Sequence, residues 1–403
     1  MRQVAITGMG VACATGLGVD RLWAACRDGV PAIGPVELKR PCKLRINFAA
    51  QVRDFDPLDH IPQSMMSRCD RFTQLAHVAA REAVAHSGIT PQELAGPRTA
   101  VIIGTGVGGF TSLDQGHYQH YVEDRRPDPM GIPRQMPSAA SSFVSMTYGA
   151  TGPCFAVTSA CASATQSIGI GAMLVRNGIV DRAIVGGSEA AITPVAMRNW
   201  EAMRVLTSDL CRPFSKARNG MVVGEGAGVF IIEALDVARA RGATPLVLLA
   251  GYGTSSDARD FIQPDVAGAT AAITYALADA ALPPAAVGYV NAHGTATVLN
   301  DINEAAALRN VFGAALDDIP VSSSKPIIGH GLGAAGGLEL IVTIKALMEQ
   351  TVPPQINFLE ADPNCPLNLP TNGAYKRRID AALCNSFAFG GINAVLVVTR
   401  PDL

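Results

Sequence analysis

One cysteine, two histidines and a lysine carry the chemistry that can be read from this chain. Cys161 stands in Thr158-Ser-Ala-Cys-Ala-Ser-Ala164, among small residues just ahead of an Ala-rich helical run. A sulfur there faces the positive end of the helix, which favours thiolate, and small neighbours admit a carbonyl carbon to close range. A lone cysteine is more often buried and inert, so the motif gains weight only from its companions. His293 lies in Asn291-Ala-His-Gly-Thr-Ala-Thr297, where a strand should end on the rim that α/β sites use. Lys325 and His330 share Ser322-Ser-Ser-Lys-Pro-Ile-Ile-Gly-His-Gly-Leu-Gly-Ala-Ala-Gly336, again between an expected strand and an expected helix. Singly, each reads as a satisfied histidine or a surface lysine. Together they form a nucleophile with proton-handling partners. Cysteine and histidine also ligate metals, but no H-x-x-x-H or C-x-x-C frame is present, so a metal is not expected. A fourth element, Asn385-Ser-Phe-Ala-Phe-Gly-Gly-Ile-Asn393, has successive glycines that let a backbone N–H face a ligand oxygen; the plain alternative is a hairpin.

The elements that must position these groups alternate along the chain. β-rich runs are expected at Val4–Thr7, Ala100–Gly104, Arg182–Gly186, Val229–Glu233, Leu246–Gly251, Val287–Asn291, Ile319–Ser322 and Ala394–Thr399. Between them lie helical stretches such as Asp70–His86, where Phe72, Leu75, Ala76, Ala79, Ala80 and Ala83 recur at helical spacing before Ser87-Gly88, and Ala162–Arg176 before Asn177-Gly178. Val4-Ala-Ile-Thr-Gly-Met-Gly is echoed by Leu248-Leu-Ala-Gly-Tyr-Gly, which suggests two αβ halves, residues 1–241 and 242–403. Arg40–Pro62 and Asp114–Pro137 are polar and Pro-containing, and read as irregular insertions or lids.

Composition bounds the function. With 403 residues, 48% hydrophobic and only 16% charged, the chain has ample material for a large core and none of the character of a disordered or coiled-coil protein. Lys+Arg 32 against Asp+Glu 34 leaves a net charge of -2, so no global basic field would gather nucleic acid. Apolar runs such as 183–187 and 229–232 are far too short to span a bilayer, and no basic leader or apolar signal core opens the sequence. The cytoplasm is the expected compartment. Nine scattered cysteines are expected to be reduced thiols.

The motifs, in this order and over essentially the whole chain, resemble the β-ketoacyl-ACP synthases of the elongating type II class, in the thiolase superfamily. Asp70-Arg-Phe72, Gly104-Thr-Gly-Val-Gly-Gly109, Gly186-Gly-Ser-Glu189, Gly224-Glu-Gly-Ala-Gly228 and Gly333-Ala-Ala-Gly336 belong to the same resemblance. It implies an α/β fold of five αβαβα layers with two pseudo-symmetric halves. It implies that Cys161 accepts the acyl group, that backbone N–H groups of Cys161 and Phe389 hold the oxyanion, that His293 and His330 bind the malonyl thioester, and that Lys325 orders His330 and a nearby carboxylate, with Glu304 and Glu339 as candidates. Thr295 and Thr297 would contact a phosphopantetheine arm, and Val107, Trp200 and Phe389 would line or gate an acyl tunnel; Trp200 could equally be core packing. No cofactor of the enzyme's own is implied, since the substrates ride on acyl carrier protein. A homodimer is implied, through the apolar 152–157 segment, with a ketosynthase-type heterodimer as the alternative.

The sequence departs from that family's pattern. Ala388 replaces a glycine, Ser215 and Asn219 stand where an aspartate pair is usual, and Ile392 replaces a threonine, as in nodulation-type, aryl-polyene or other secondary-metabolite branches. Two rivals remain. Gly104–Gly109 followed by Glu123 matches a dinucleotide fingerprint, although the polar, Pro-broken 117–129 segment promises no clean helix after it. A CoA-dependent thiolase would need a second cysteine, for which Cys384 is the nominal candidate. A non-catalytic partner subunit would lack the nucleophile that this chain retains.

Overall fold

The computed structural model describes residues 1–402. Ten strands form the body of one eleven-stranded sheet: β1 (Val4–Cys13), β2 (Thr99–Gly104), β3 (Cys154–Phe155), β4 (Arg182–Glu189), β5 (Gly226–Ala234), β6 (Val247–Ser256), β7 (Tyr289–Asn291), β8 (Val321–Ser322), β9 (Ala381–Ala388) and β10 (Ile392–Thr399). Their spatial order is β8-β7-β9-β10-β6-β1-β5-β4-β2-β3, and the short strand Gly16–Leu17 pairs with β1 off this path. Outward from the centre, the run β1-β5-β4-β2-β3 is antiparallel, antiparallel, parallel, parallel. The run β6-β10-β9-β7-β8 repeats that pattern. The two runs meet through only two residue pairs, Ala5↔Leu248 and Ile6↔Val247, within the segments whose sequences echo each other. The fold is therefore a duplicated α/β unit, with β9 and β3 added to the strands expected from sequence.

Helices α1 (Arg71–Ser87), α2 (Phe110–Tyr121), α3 (Ser163–Arg176), α4 (Val266–Asp279), α5 (Val298–Phe312) and α6 (Ala335–Glu349) complete the layers. Helix α1 covers β1, β5 and β4; α3 and α6 pack together between the two strand runs; α4 covers β6 and β10, with α5 beside it. The core follows the same division. One cluster around Ile168, Leu338 and Leu396 fills the middle, and two others lie under the outer helices. Being covered on both faces, β1 and β5 are buried along their whole length and read as continuous apolar runs rather than as alternating ones.

Close layer packing explains the small residues. Asp70 caps α1 by accepting from Phe72 N–H at 3.1 Å, and Gly88 ends it in the left-handed region. The alanine face of α1 then lies directly on Gly8 and Gly10 of β1, where an added Cβ would meet the carbonyl oxygens of Ala83 and Ala79 at 2.1 Å. Gly10→Ala is expected to force the helix off the sheet and to lower stability by about 1–3 kcal/mol, the usual cost of overpacking, read as a lower urea midpoint with an unchanged slope.

Helix α2 runs on through Tyr121, so the first part of the Asp114–Pro137 segment, read from sequence as an irregular insertion or lid, is an ordered helix. The strand–turn–helix unit that ends in α3 has a counterpart ending in α6. Each passes through a short 3-10 turn, Ala160–Ala162 and Leu332–Ala334. Each turn opens on a non-glycine residue at positive φ, Ala160 at 47° and Leu332 at 48°.

Candidate active site

Cys161 sits in the first of these turns, immediately before α3, and is 5% exposed. Ser163 Oγ accepts from Ser159 N–H at 2.9 Å and lies 2.7 Å from the Ala160 carbonyl, fixing the turn despite its positive φ. His330 arrives from the other half. Its backbone N–H donates to Val222 O at 2.7 Å and its carbonyl accepts from Gly224 N–H at 2.8 Å, so the residue is held like a strand rung beside the first half. This brings Nε2 of His330 to 3.0 Å from Cys161 Sγ.

His293 follows β7 and meets His330 edge to face, with ring centroids 5.2 Å apart at 82°. Its backbone is tethered by Glu304 of α5, whose carboxylate accepts from His293 N–H and Gly294 N–H, each at 2.8 Å, and from Asn385 Nδ2 at 3.0 Å. Lys325 is buried, paired with Glu339 and donating to the His293 carbonyl oxygen, and its Nζ lies 3.4 Å from His293 Nδ1. Lys325 thus contacts His293, not His330 as the sequence reading has it; the ring of His330 points to the sulfur instead. Because an ammonium only donates, Nδ1 of His293 is the acceptor and the ring proton belongs on Nε2.

Burial, then the Lys325 charge, then His330 hold His293 well below the ordinary histidine range; burial and Lys325 do the same for His330. Both rings are neutral. Burial pushes the Cys161 thiol up to about 12, with Lys325 pulling it back and Glu339 and Glu189 adding to the rise. Burial thus works against the thiolate that the helix N-terminus favours, because a sulfur this far from water loses solvation when it is charged. The resting pair is thiol and imidazole, within reach for proton transfer. Glu339 is raised to about 7 by burial, against the pull of Lys325, and Glu304 is raised as well, again by burial. Sγ and one nitrogen from each imidazole lie within 4.8 Å of one another, a donor set that suits a thiophilic cation. The Lys325 ammonium beside His293 opposes any such ion with a fixed positive charge.

Cys161, His293 and His330 open into one cavity of about 260 Å³, which Thr295, Thr297 and Phe389 also line. The two threonine hydroxyls are bonded to each other at 2.8 Å. Trp200 stacks on Phe389 at 6.4 Å and 23° but does not border the cavity itself. Val107 does not border it either; it stands 45% exposed on the loop after β2, so the sequence assignment of Val107 to a tunnel wall is not met by this cavity. Ala388 ends β9 opposite Ile392, while the left-handed positions of the hairpin remain glycines, Gly390 at φ 84° and Gly391 at φ 68°. The departure at Ala388 leaves this hairpin unstrained. Asn219 lines the cavity and lies 2.5 Å from the Thr207 hydroxyl, while Ser215 Oγ reaches the Glu360 carbonyl.

The dinucleotide rival fails at its glycines. Helix α2 does follow them, contrary to expectation, but the amides are already engaged: Gly106 N–H donates to Glu189 at 2.6 Å, Gly108 N–H to Thr105 Oγ1 at 3.0 Å and Gly109 N–H to Gln135 O at 3.2 Å. No amide of these three is left to cradle a phosphate. Cys384 is buried within β9, with its sulfur 4.0 Å from the Gly336 carbonyl and outside the cavity wall, a poor place for a thiolase's second thiol.

Residues 1–238 match the family model for the N-terminal domain of beta-ketoacyl synthase and residues 246–359 the model for its C-terminal domain. The chain belongs to the beta-ketoacyl synthase family. It is 41% identical to nodulation protein E of Rhizobium sp. (strain N33) over 98% of each protein. It is 39% identical to 3-oxoacyl-[acyl-carrier-protein] synthase 2 of Staphylococcus aureus (strain COL), covering 99% of this chain and 98% of that protein. Among solved structures, the ishigamide ketosynthase/chain length factor superposes with a TM-score of 0.94 at 33% identity over 99% of both chains. A type II PKS ketosynthase, solved with its acyl-carrier protein and bound to the hexaketide, gives 0.91 at 29% identity, again over 99% of both chains. This ketosynthase is thus an acyltransferase-class enzyme of chain-elongating condensation, with the layered thiolase-like fold. Among the described residues, no helix is long and apolar enough to cross a membrane.

The sequence offered no clue to Glu189 beyond its place in the Gly186-Gly-Ser-Glu189 motif.

Proposed function

We propose that this ketosynthase joins an acyl group from acyl-ACP to the two-carbon unit of malonyl-ACP, giving 3-oxoacyl-ACP, carbon dioxide and free ACP. In the first half-reaction Cys161 Sγ attacks the acyl thioester; the S–C bond to the enzyme forms, the bond to the phosphopantetheine sulfur breaks, and the thiol proton passes through His330 Nε2 to the departing sulfur. Backbone N–H groups of Cys161 and Phe389 receive the oxyanion. In the second, His293 and His330, the latter with its ring proton moved to Nε2 once the sulfur is acylated, hydrogen-bond the malonyl thioester oxygen; the carboxylate leaves as carbon dioxide, the enolate carbon attacks the acyl carbon, and the Cys161 sulfur leaves as a thiolate that regains its proton from water. Lys325, held by Glu339, keeps the proton of His293 on Nε2. The observation that carries this reading is the 3.0 Å contact between Cys161 and His330 beside a second imidazole whose Nδ1 faces an ammonium.

In this reading residues 1–241 supply the nucleophile and 242–403 the imidazoles and the lysine. Thr295 and Thr297 guide the carrier's arm, and Phe389, backed by Trp200, gates the acyl site. The partners are acyl carrier protein and, through the edge strand β3, a second ketosynthase chain, identical or a related subunit; the compartment is the cytoplasm, where carrier-borne acyl chains are made. A specialised acyl chain, as in a nodulation-factor or other secondary-metabolite branch, is favoured over housekeeping elongation by Ser215, Asn219 and Ile392.

The deciding experiment is intact-mass analysis after incubation with a panel of acyl-ACPs. One acyl increment on Cys161 is expected, and no increment with any acyl-ACP would reject the reading. Thr295→Val and Thr297→Val are expected to raise KM for both carrier substrates by about 0.5–1.5 kcal/mol each, with kcat nearly unchanged, in steady-state assays.

A further inference from the structure

Glu189 ends β4 as a fully buried carboxylate, and no lysine, arginine or histidine hydrogen-bonds to it. Its charge is met instead by convergent donors. Oε1 accepts from the Thr105 hydroxyl at 3.0 Å; Oε2 accepts from Gly106 N–H at 2.6 Å and from Gly333 N–H at 3.0 Å. These donors come from two different places. Thr105 and Gly106 belong to the loop after β2, and the Thr105 carbonyl lies 3.1 Å from Ser163 Oγ, which fixes the Cys161 turn. Gly333 belongs to the turn that follows His330 and comes directly after Leu332, whose φ of 48° needs an external hold. The fit is close, since a Cβ added at Gly106 or Gly333 would come within 2.7 or 2.6 Å of Oε2.

Building on the reaction proposed above, we propose that Glu189 is a positioning residue: its carboxylate clamps the Cys161 loop network to the His330 turn and so sets the separation of sulfur and imidazole. A carboxylate suits this place because, when ionised, it is acceptor-only; burial raises it to about 7, and the converging donors pull it back. Glutamine keeps the shape but supplies one neutral oxygen: it holds the two amides only by turning its NH2 to the Thr105 hydroxyl, which must then accept where it now donates. The Thr105 arm of the clamp has to reverse its hydrogen bond and loosens, and a displacement of about 1 Å at a reacting pair costs on the order of a hundredfold in rate. The same charge also helps to keep the Cys161 thiol protonated, alongside Glu339 and against Lys325.

The test is Glu189→Gln in the full chain, with wild-type acyl loading as the control that the broader reading holds. The expected result is a kcat lower by roughly tenfold to a hundredfold per titratable thiol, with KM for malonyl-ACP within about twofold of wild type. Alkylation of Cys161 by iodoacetamide should also shift to lower pH, since one of the carboxylates that raise the thiol is gone; the fall in kcat at near-constant KM is the readout that general loosening of the fold, which would disturb KM as well, does not reproduce. Unchanged kcat per folded enzyme with an unchanged alkylation profile overturns the proposal. If Glu189→Gln does not fold, Thr105→Val decides, because it removes one side-chain donor and leaves the backbone donors in place. A reduced kcat at unchanged KM supports the clamp, and wild-type turnover refutes it. Failure of the wild-type enzyme to load any acyl-ACP would count against the broader reading alone.

Discussion

Cys161→Ala is expected to abolish acyl loading while leaving carbon dioxide release from malonyl-ACP measurable. In the proposed reaction the sulfur alone forms the acyl bond, His330 serves both half-reactions, and His293 faces only the extender thioester. Removing Sγ deletes the only cavity-lining thiol, so intact mass should show no acyl increment and no 3-oxoacyl product should form. His293 keeps its tethers to Glu304 and Lys325, none of which involves Cys161. An alanine variant that still condensed would rule out this nucleophile. One that lost carbon dioxide release completely would show that the imidazoles depend on the sulfur for their placement.

His293→Ala is the complementary case. It should leave Cys161 and His330 in contact, so acyl loading survives within about tenfold, while malonyl decarboxylation falls by about 10²–10³ through loss of one donor to the developing enolate oxygen. His293→Gln should recover part of that loss, since an amide N–H can donate where the ring did. The pH dependence carries a sign of its own. Both imidazoles are held well below the ordinary histidine range, chiefly by burial. The unfolded chain gains protons below about pH 6.5 and the folded chain does not, so these two groups withdraw stability as pH falls through that range. Neither ring titrates there, so a change in carbon dioxide release per folded wild-type molecule in that range should follow the buried carboxyls of Glu339 and Glu189, each raised to about 7 by burial. A fall centred near pH 6.5 that persists in both Glu339→Gln and Glu189→Gln, at constant folded fraction, would contradict the neutral assignment.

The four side chains that the structure gathers, Cys161, His293, Lys325 and His330, stood out in the sequence because each is flanked by small residues at a strand-to-helix passage, a local property. Their internal pairing did not. Lys325 lies five residues from His330 but contacts His293, thirty-two residues away, since the short helix Lys325–Ile328 turns the ammonium inward while His330 is pinned to the 222–224 segment. The thiol's burial was hidden for a related reason: a helix terminus is visible in sequence, whereas the depth of burial depends on both halves closing. Helix α2 was hidden by polar composition, its apolar residues being few and none of them buried. The duplicated strand order left only a faint mark in the sequence, in the β1 and β6 segments.

That duplication gives the molecule its asymmetry. Aligning the two 3-10 turns on their strained first residues places Gly333 opposite Cys161, so the same backbone amide is presented twice. In one copy the amide lies against its own sulfur. In the other it is stoppered by Glu189. In the proposed reaction, a repeated scaffold with two equivalent seats for a reacting carbonyl keeps one in use, and the second copy serves as the frame for an imidazole.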